Sequence, residues 1–287
     1  MTVLALAALA ITATGAALSQ SWANGPSDAE RAALDAADTL VRSELVSQGW
    51  TPPASAALRE LSEELRASHE VEILHASGPF RIELGAHTLQ GTDAPEAPLS
   101  AATVIVADEL ALYPPEFVRR SMLRRVMLCS ALREDAVAIP SLPNYRRTLL
   151  LDVEADPDFL RRLLHHEIFH FVDLADDGVL LWDPTWERLN RPDFDYGRGG
   201  RDMREPIASA LTDEQPGFLT RYATSALEED KAETFAFLMA QPALVAARAA
   251  TDPVLAAKVA RIRSIVATLD PEMNEAFWAR IARHRAN

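Results

Sequence analysis

The residues best able to do chemistry stand together in one short run, His165-His166-Glu167-Ile168-Phe169-His170. On an α-helix, side chains four apart lie about 40° apart in azimuth and one turn along the axis, so the imidazoles of His166 and His170 can converge on one ion. Neutral imidazole suits zinc, and Glu167, beside the first histidine, can reach a water at that ion without competing for the metal. Zinc lowers the pKa of such a water to about 7, and a nearby carboxylate can take its proton as the water attacks a carbonyl. The pattern therefore implies hydrolysis of a peptide or amide bond, with His166 and His170 as metal ligands and Glu167 as the base. His165 points about 100° away from His166 and is expected to pack or to support the site.

A catalytic zinc takes three protein ligands and keeps one position open. The third ligand has two sources in the sequence: Asp173, one turn beyond His170, and the acidic run Glu228-Glu229-Asp230-Lys231-Ala232-Glu233. Glu229 and Glu233 lie one turn apart on a second helix. Glu229 is the favoured ligand, and Glu233 the acceptor that orients a ligand histidine. Asp173 stays open as a ligand or as an outer-layer group, and a solvated first turn rich in acids would also explain the run.

The stretches His166 to Asp173 and Glu229 to Ala236, with Tyr222 between them, resemble the lethal-factor-like gluzincins, a group that includes anthrax lethal factor and the secreted Pro-Pro endopeptidases. The shared pattern is HExxH with an apolar-Asp pair after it, then a tyrosine seven residues before a ligand glutamate in an ExxxE pair. The resemblance spans about residues 156 to 240. It implies a zincin-like metallopeptidase domain in which Glu229 completes the metal site and Tyr222 donates a hydrogen bond to the tetrahedral oxyanion. The segment from Trp182-Asp183-Pro184 to Gly200 is similar instead to uncharacterised bacterial zinc peptidases.

The elements that must position these groups follow from spacing and punctuation. Thr148 to Val153 reads as a short strand, and Asp156-Pro157 is a side-chain cap with proline at the first helical position. The helix it opens carries an apolar stripe of Phe159, Leu160, Leu163, Leu164, Ile168, Phe169 and Val172 and ends near Asp176-Asp177-Gly178. Ser225 to Glu228 has the form of a capping box, opening a helix to about Ala240. Upstream, helices are expected from Asp28 to about Ser47 and from Ala57 to Ala67, then strands at Val71 to Leu74, Phe80 to Leu84 and Thr103 to Ala107. Pro114-Pro115 is expected to open a long helix to about Arg133, with Cys129 a buried thiol on it. Residues 178 to 217, rich in Pro, Gly, Asp and Trp, read as a long surface excursion; its aromatics Trp182, Trp186, Phe194 and Tyr196 could wall a cleft or fold onto a small core of their own.

The expected fold class is α+β, mainly helical, with a small sheet packed on the HExxH helix and its edge strand near Thr148 to Val153 available to an extended peptide. Residues 27–150 and 151–287 read as two parts of one continuous domain. With 42 acidic and 28 basic side chains the net charge is −14, which repels nucleic acid and anionic membranes; the partner expected is a polypeptide substrate. A single cysteine excludes an intramolecular disulfide and a thiolate zinc cage. Residues 1–23, apolar and ending in Ser21-Trp22-Ala23, read as a signal peptide or a membrane anchor, which implies export to the periplasm, cell envelope or medium. A catalytically silent zinc-binding envelope protein that recognises a partner is the alternative reading.

Overall fold

Two amphipathic helices open the described chain where their apolar spacing places them. They are α1 (Asp28–Ser47) and α2 (Ala56–His69), separated by the two-residue strand β1 (Trp50–Thr51). The structure is a computed structural model and describes residues 28–177, 179–200 and 210–286. The leader expected over residues 1–23 lies outside them, and among the described residues no helix is long and apolar enough to cross a membrane.

Next come β2 (Glu72–Ala76), β3 (Phe80–Leu84), β4 (His87–Thr92), α3 (Glu96–Leu110), α4 (Pro115–Arg120), β5 (Arg125–Glu134), β6 (Val137–Ala138), β7 (Ser141–Tyr145) and β8 (Thr148–Asp152). The eight strands form one mixed sheet around β5. The first half of β5 lies parallel to β2 on one side and to β8 on the other. Its second half pairs antiparallel with β4 and β6, and Ala131, at φ 53°, breaks the strand between the halves.

Three expectations are corrected here. Thr103 to Ala107 is helical, inside α3; a short, mostly apolar run carries no periodicity that separates a buried strand from a buried helix. The helix opened by Pro114-Pro115 stops at Arg120, and Arg125 to Glu134 is the central strand, with Cys129 buried in it. A strand covered on both faces shows no alternation, which disguises it. Finally, β8 is interior, paired to both β5 and β7, so β7 is the edge. Pro143 hides that edge strand in the sequence, since a residue without an N–H is tolerated only where no ladder bond is needed.

Side chains of successive strand residues enter opposite cores. Val126 and Leu128 of β5, with Leu149 and Leu151 of β8, join the larger core, which also takes Leu160, Leu164 and Phe169. Met127, Cys129 and Leu150 face a smaller core with Leu45 and Trp50.

The larger core is capped by the C-terminal half: α5 (Pro157–Asp177), the short α6 (Pro184–Glu187), α7 (Leu227–Ala240), α8 (Pro242–Ala249), α9 (Pro253–Leu269) and α10 (Glu275–Ala286). The α5 cap forms as the sequence implies, Asp156 Oδ1 accepting from the amides of Asp158 and Phe159 at 3.0 and 3.2 Å. The capping box at α7 does not form: Ala226 is the N-cap and no side chain caps it.

The excursion after α5 is more deeply anchored than its composition suggests. Trp186 is fully buried, and its Nε1–H donates to Asp230 Oδ2 at 2.8 Å. The Tyr196 hydroxyl donates to the same oxygen at 2.6 Å, and Lys258 Nζ lies 2.7 Å from it. Phe194 and Tyr196 pack with Phe218 in a small aromatic cluster, while Trp182 is exposed. Asp230 thus ties the excursion, α7 and α9 together. Asp230→Ala would leave the Lys258 ammonium buried without its counter-ion and should cost about 3–5 kcal/mol, read as a lower urea midpoint.

Candidate metal centre

Helices α5 and α7 face each other across the larger core, and their polar residues meet at one point. His166 Nε2 lies 3.0 Å from Glu229 Oε2 and 3.1 Å from His170 Nε2, and His170 Nε2 lies 3.5 Å from the same Glu229 oxygen. Among the described residues, His166, His170 and Glu229 form a group that could hold a metal ion. Donors bound at about 2.0–2.2 Å in a tetrahedral arrangement stand about 3.3 Å from one another, so this triangle fits a zinc-sized ion. The donor set, two imidazole nitrogens and one carboxylate oxygen, also suits zinc.

Electrostatics agree with a cation. Burial pulls the His166 imidazole down, yet Glu229 and Glu233 outweigh it and hold the group well above its usual value. Burial likewise pushes the Glu229 carboxyl up, and the two histidines overcome this and keep it well below the carboxylate range. The carboxylates around His166 therefore favour positive charge there, carried by a proton on the imidazole or by a cation that replaces it.

Glu233 stands where an orienting acceptor is needed, its Oε1 2.9 Å from His166 Nδ1. With the proton on Nδ1, the Nε2 lone pair faces the cluster. The other oxygen, Oε2, accepts from the Thr220 hydroxyl at 2.7 Å, and that hydroxyl accepts from the Ala223 amide at 3.1 Å. Glu233→Ala should therefore weaken zinc binding by about 10–100-fold in a competition titration, with the fold retained. Asp173 is not among the three converging donors. Its Oδ1 accepts from Lys231 Nζ at 2.9 Å, and Lys231 also lies 3.2 Å from Asp183.

Tyr222 begins a single 3-10 turn, Tyr222–Thr224, and its hydroxyl donates to Glu229 Oε1 at 3.0 Å. Burial and the surrounding carboxylates push the phenol up, so it stays a donor. Gly200 packs so closely on the Tyr222 hydroxyl and Glu229 that a Cβ there would collide with both. The segment before it is pinned by amide bonds from Gly197 to Thr224 O at 3.0 Å and from Gly199 to Ser225 O at 2.9 Å. The paired glycines are the only sequence signal of this close approach. Glu167 Oε1 accepts from the Ser141 hydroxyl at 2.6 Å, and Glu167 Oε2 is buried with no hydrogen-bond partner among the described residues. No sequence signal marks Ser141.

His165 points away from this cluster, as the helical geometry requires. Its Nε2 lies 3.0 Å from Glu109 Oε2, and its Nδ1 lies 2.6 Å from the Tyr113 hydroxyl. Arg161 and Arg285 also pair with Glu109. Burial pushes the Glu109 carboxyl up, but His165 and Arg285 more than offset it and hold the group well below its ordinary 4.5. A depressed carboxyl contributes stability that is complete above its unfolded pKa and is lost as the pH falls through the folded value. The urea midpoint is thus expected to fall progressively as the pH drops below about 5, and Glu109→Gln to remove part of that fall while lowering stability at pH 7.

This fold has a solved counterpart. No family model matches the chain, and no curated protein matches it in sequence. The structure is similar to the crystal structure of a "putative zinc-binding metallo-peptidase" from Bacteroides caccae, with a TM-score of 0.50 and 17% sequence identity, over 82% of this chain and 95% of that one. The two chains share a fold. At that identity the likeness concerns the backbone architecture, α+β with a mixed sheet beside the helices.

Proposed function

We propose that the chain is a zinc-dependent endopeptidase of the lethal-factor-like gluzincin type, with His166, His170 and Glu229 as the metal ligands. The observation that carries this reading is the convergence of those three donors beside a buried carboxylate, Glu167, that keeps one oxygen without a partner among the described residues. A zinc ion held there supplies the Lewis acidity that makes water acidic near neutral pH and polarises a carbonyl.

The chain's own groups supply the rest. Glu167 takes the proton of the attacking water through Oε2 and later delivers it to the leaving amine. The Tyr222 hydroxyl, released from Glu229, donates to the oxyanion that develops as the carbonyl becomes tetrahedral. Glu233 keeps His166 in the tautomer that presents Nε2. An extended polypeptide is expected to lie along β7, the edge strand nearest Glu167, with Pro143 limiting the ladder to a short register. The apolar leader in the sequence supports an exported protein.

The test is digestion of an unstructured peptide library by the zinc-loaded full chain, with a chelated sample beside it. Cleavage that disappears on chelation and returns with zinc is expected. Stoichiometric zinc with no cleavage of any polypeptide would overturn the enzyme and leave the envelope-protein reading.

A further inference from the structure

We propose that Ser141 is a positioning residue for Glu167: its hydroxyl selects which oxygen of the base faces the three metal-ligating groups. The inference rests on the peptidase reading for its catalytic consequence, but the contact stands on geometry alone. Ser141 Oγ donates to Glu167 Oε1 at 2.6 Å, well within the range of a firm O–H···O hydrogen bond. Glu167 is 5% exposed, so water cannot freely replace that donor. With Oε1 held, Oε2 is the oxygen left without a partner among the described residues.

The donor is presented by a stiff piece of chain. Ser141 opens β7, opposite Leu151 of β8, and the preceding Pro140 carbonyl accepts from the Asp152 amide at 2.9 Å. Pro140 and Pro143 flank the site and fix their own φ angles. Glutamate has three side-chain torsions, and one strong bond to a rigid strand removes much of that freedom before any substrate arrives. The hydrogen bond also joins the base, on α5, to the edge strand on which a peptide would lie. Substrate pairing and the aim of the base are thereby set by the same strand.

The experiment compares the full-length chain with S141A, S141T, E167A and the S141A/E167A pair. The readouts are zinc content, the thermal midpoint of the metal-free proteins, and kcat and KM on a peptide that the wild type cleaves. S141A should keep one zinc, lower the midpoint by about 3–6 °C, and lose most of that effect when Glu167 is already alanine. Its kcat should fall about 10–100-fold with KM unchanged, and S141T, which retains the hydroxyl, should recover most of the rate. An equal fall in midpoint in both backgrounds, or a kcat within twofold of wild type, would overturn the assignment. A wild type that cleaves nothing would defeat the peptidase reading instead, and the unfolding cycle would still decide whether Ser141 holds Glu167.

Discussion

Replacing Glu167 with glutamine is expected to lower kcat by about 10²–10⁴-fold while the chain still holds one zinc. Glutamine keeps the shape of the side chain and an oxygen that can accept from Ser141, so the fold and the three converging donors are undisturbed. What it loses is the ability to take a proton. The contrast between activity and metal content is what separates a base from a ligand: metal analysis beside peptide hydrolysis reads it directly. Zinc lost together with activity would place Glu167 among the ligands and contradict its present aim, in which one oxygen is occupied by Ser141.

Glu229→Ala should be still more damaging to the metal. It removes the sole carboxylate among the three donors and leaves two buried imidazoles, His166 and His170, facing each other at 3.1 Å. The loss of zinc affinity should exceed the roughly 10–100-fold expected for Glu233, which touches only the far nitrogen of His166. It also frees the Tyr222 hydroxyl from its acceptor. A chelator competition on Glu229→Ala and Glu233→Ala side by side checks the order. Wild-type affinity in Glu229→Ala would return the third-ligand role to Asp173, which would then have to exchange Lys231 for the metal.

Much of the candidate site was legible because its residues follow helical periodicity. His166, Glu167 and His170 occupy one helix turn, and Glu229 and Glu233 another, so each set is arranged by local geometry wherever the helices pack. The caps told the same story unevenly: Asp156 closes the start of α5, whereas Ser225 leaves α7 uncapped because the chain enters that helix at Ala226. The sheet was harder to read. The apolar runs Val104 to Ala107 and Val126 to Cys129 look alike in sequence, yet one lies in a helix and the other in the central strand, and no local pattern separates them.

The sequence by itself singled out the two histidines, the glutamate beside the first of them, and the pair of glutamates one turn apart as candidates, because which residues share a helix face follows from helix geometry alone. Only the tertiary structure decided that Asp173 is claimed by Lys231, that Asp230 anchors the excursion through Trp186 and Tyr196, and that Ser141 meets Glu167. Those partners come from separate elements, and their meeting depends on how the strands order themselves and how α5 and α7 pack. Residue spacing carries little of that information, since any polar side chain on the right edge or face could serve until the fold selects one.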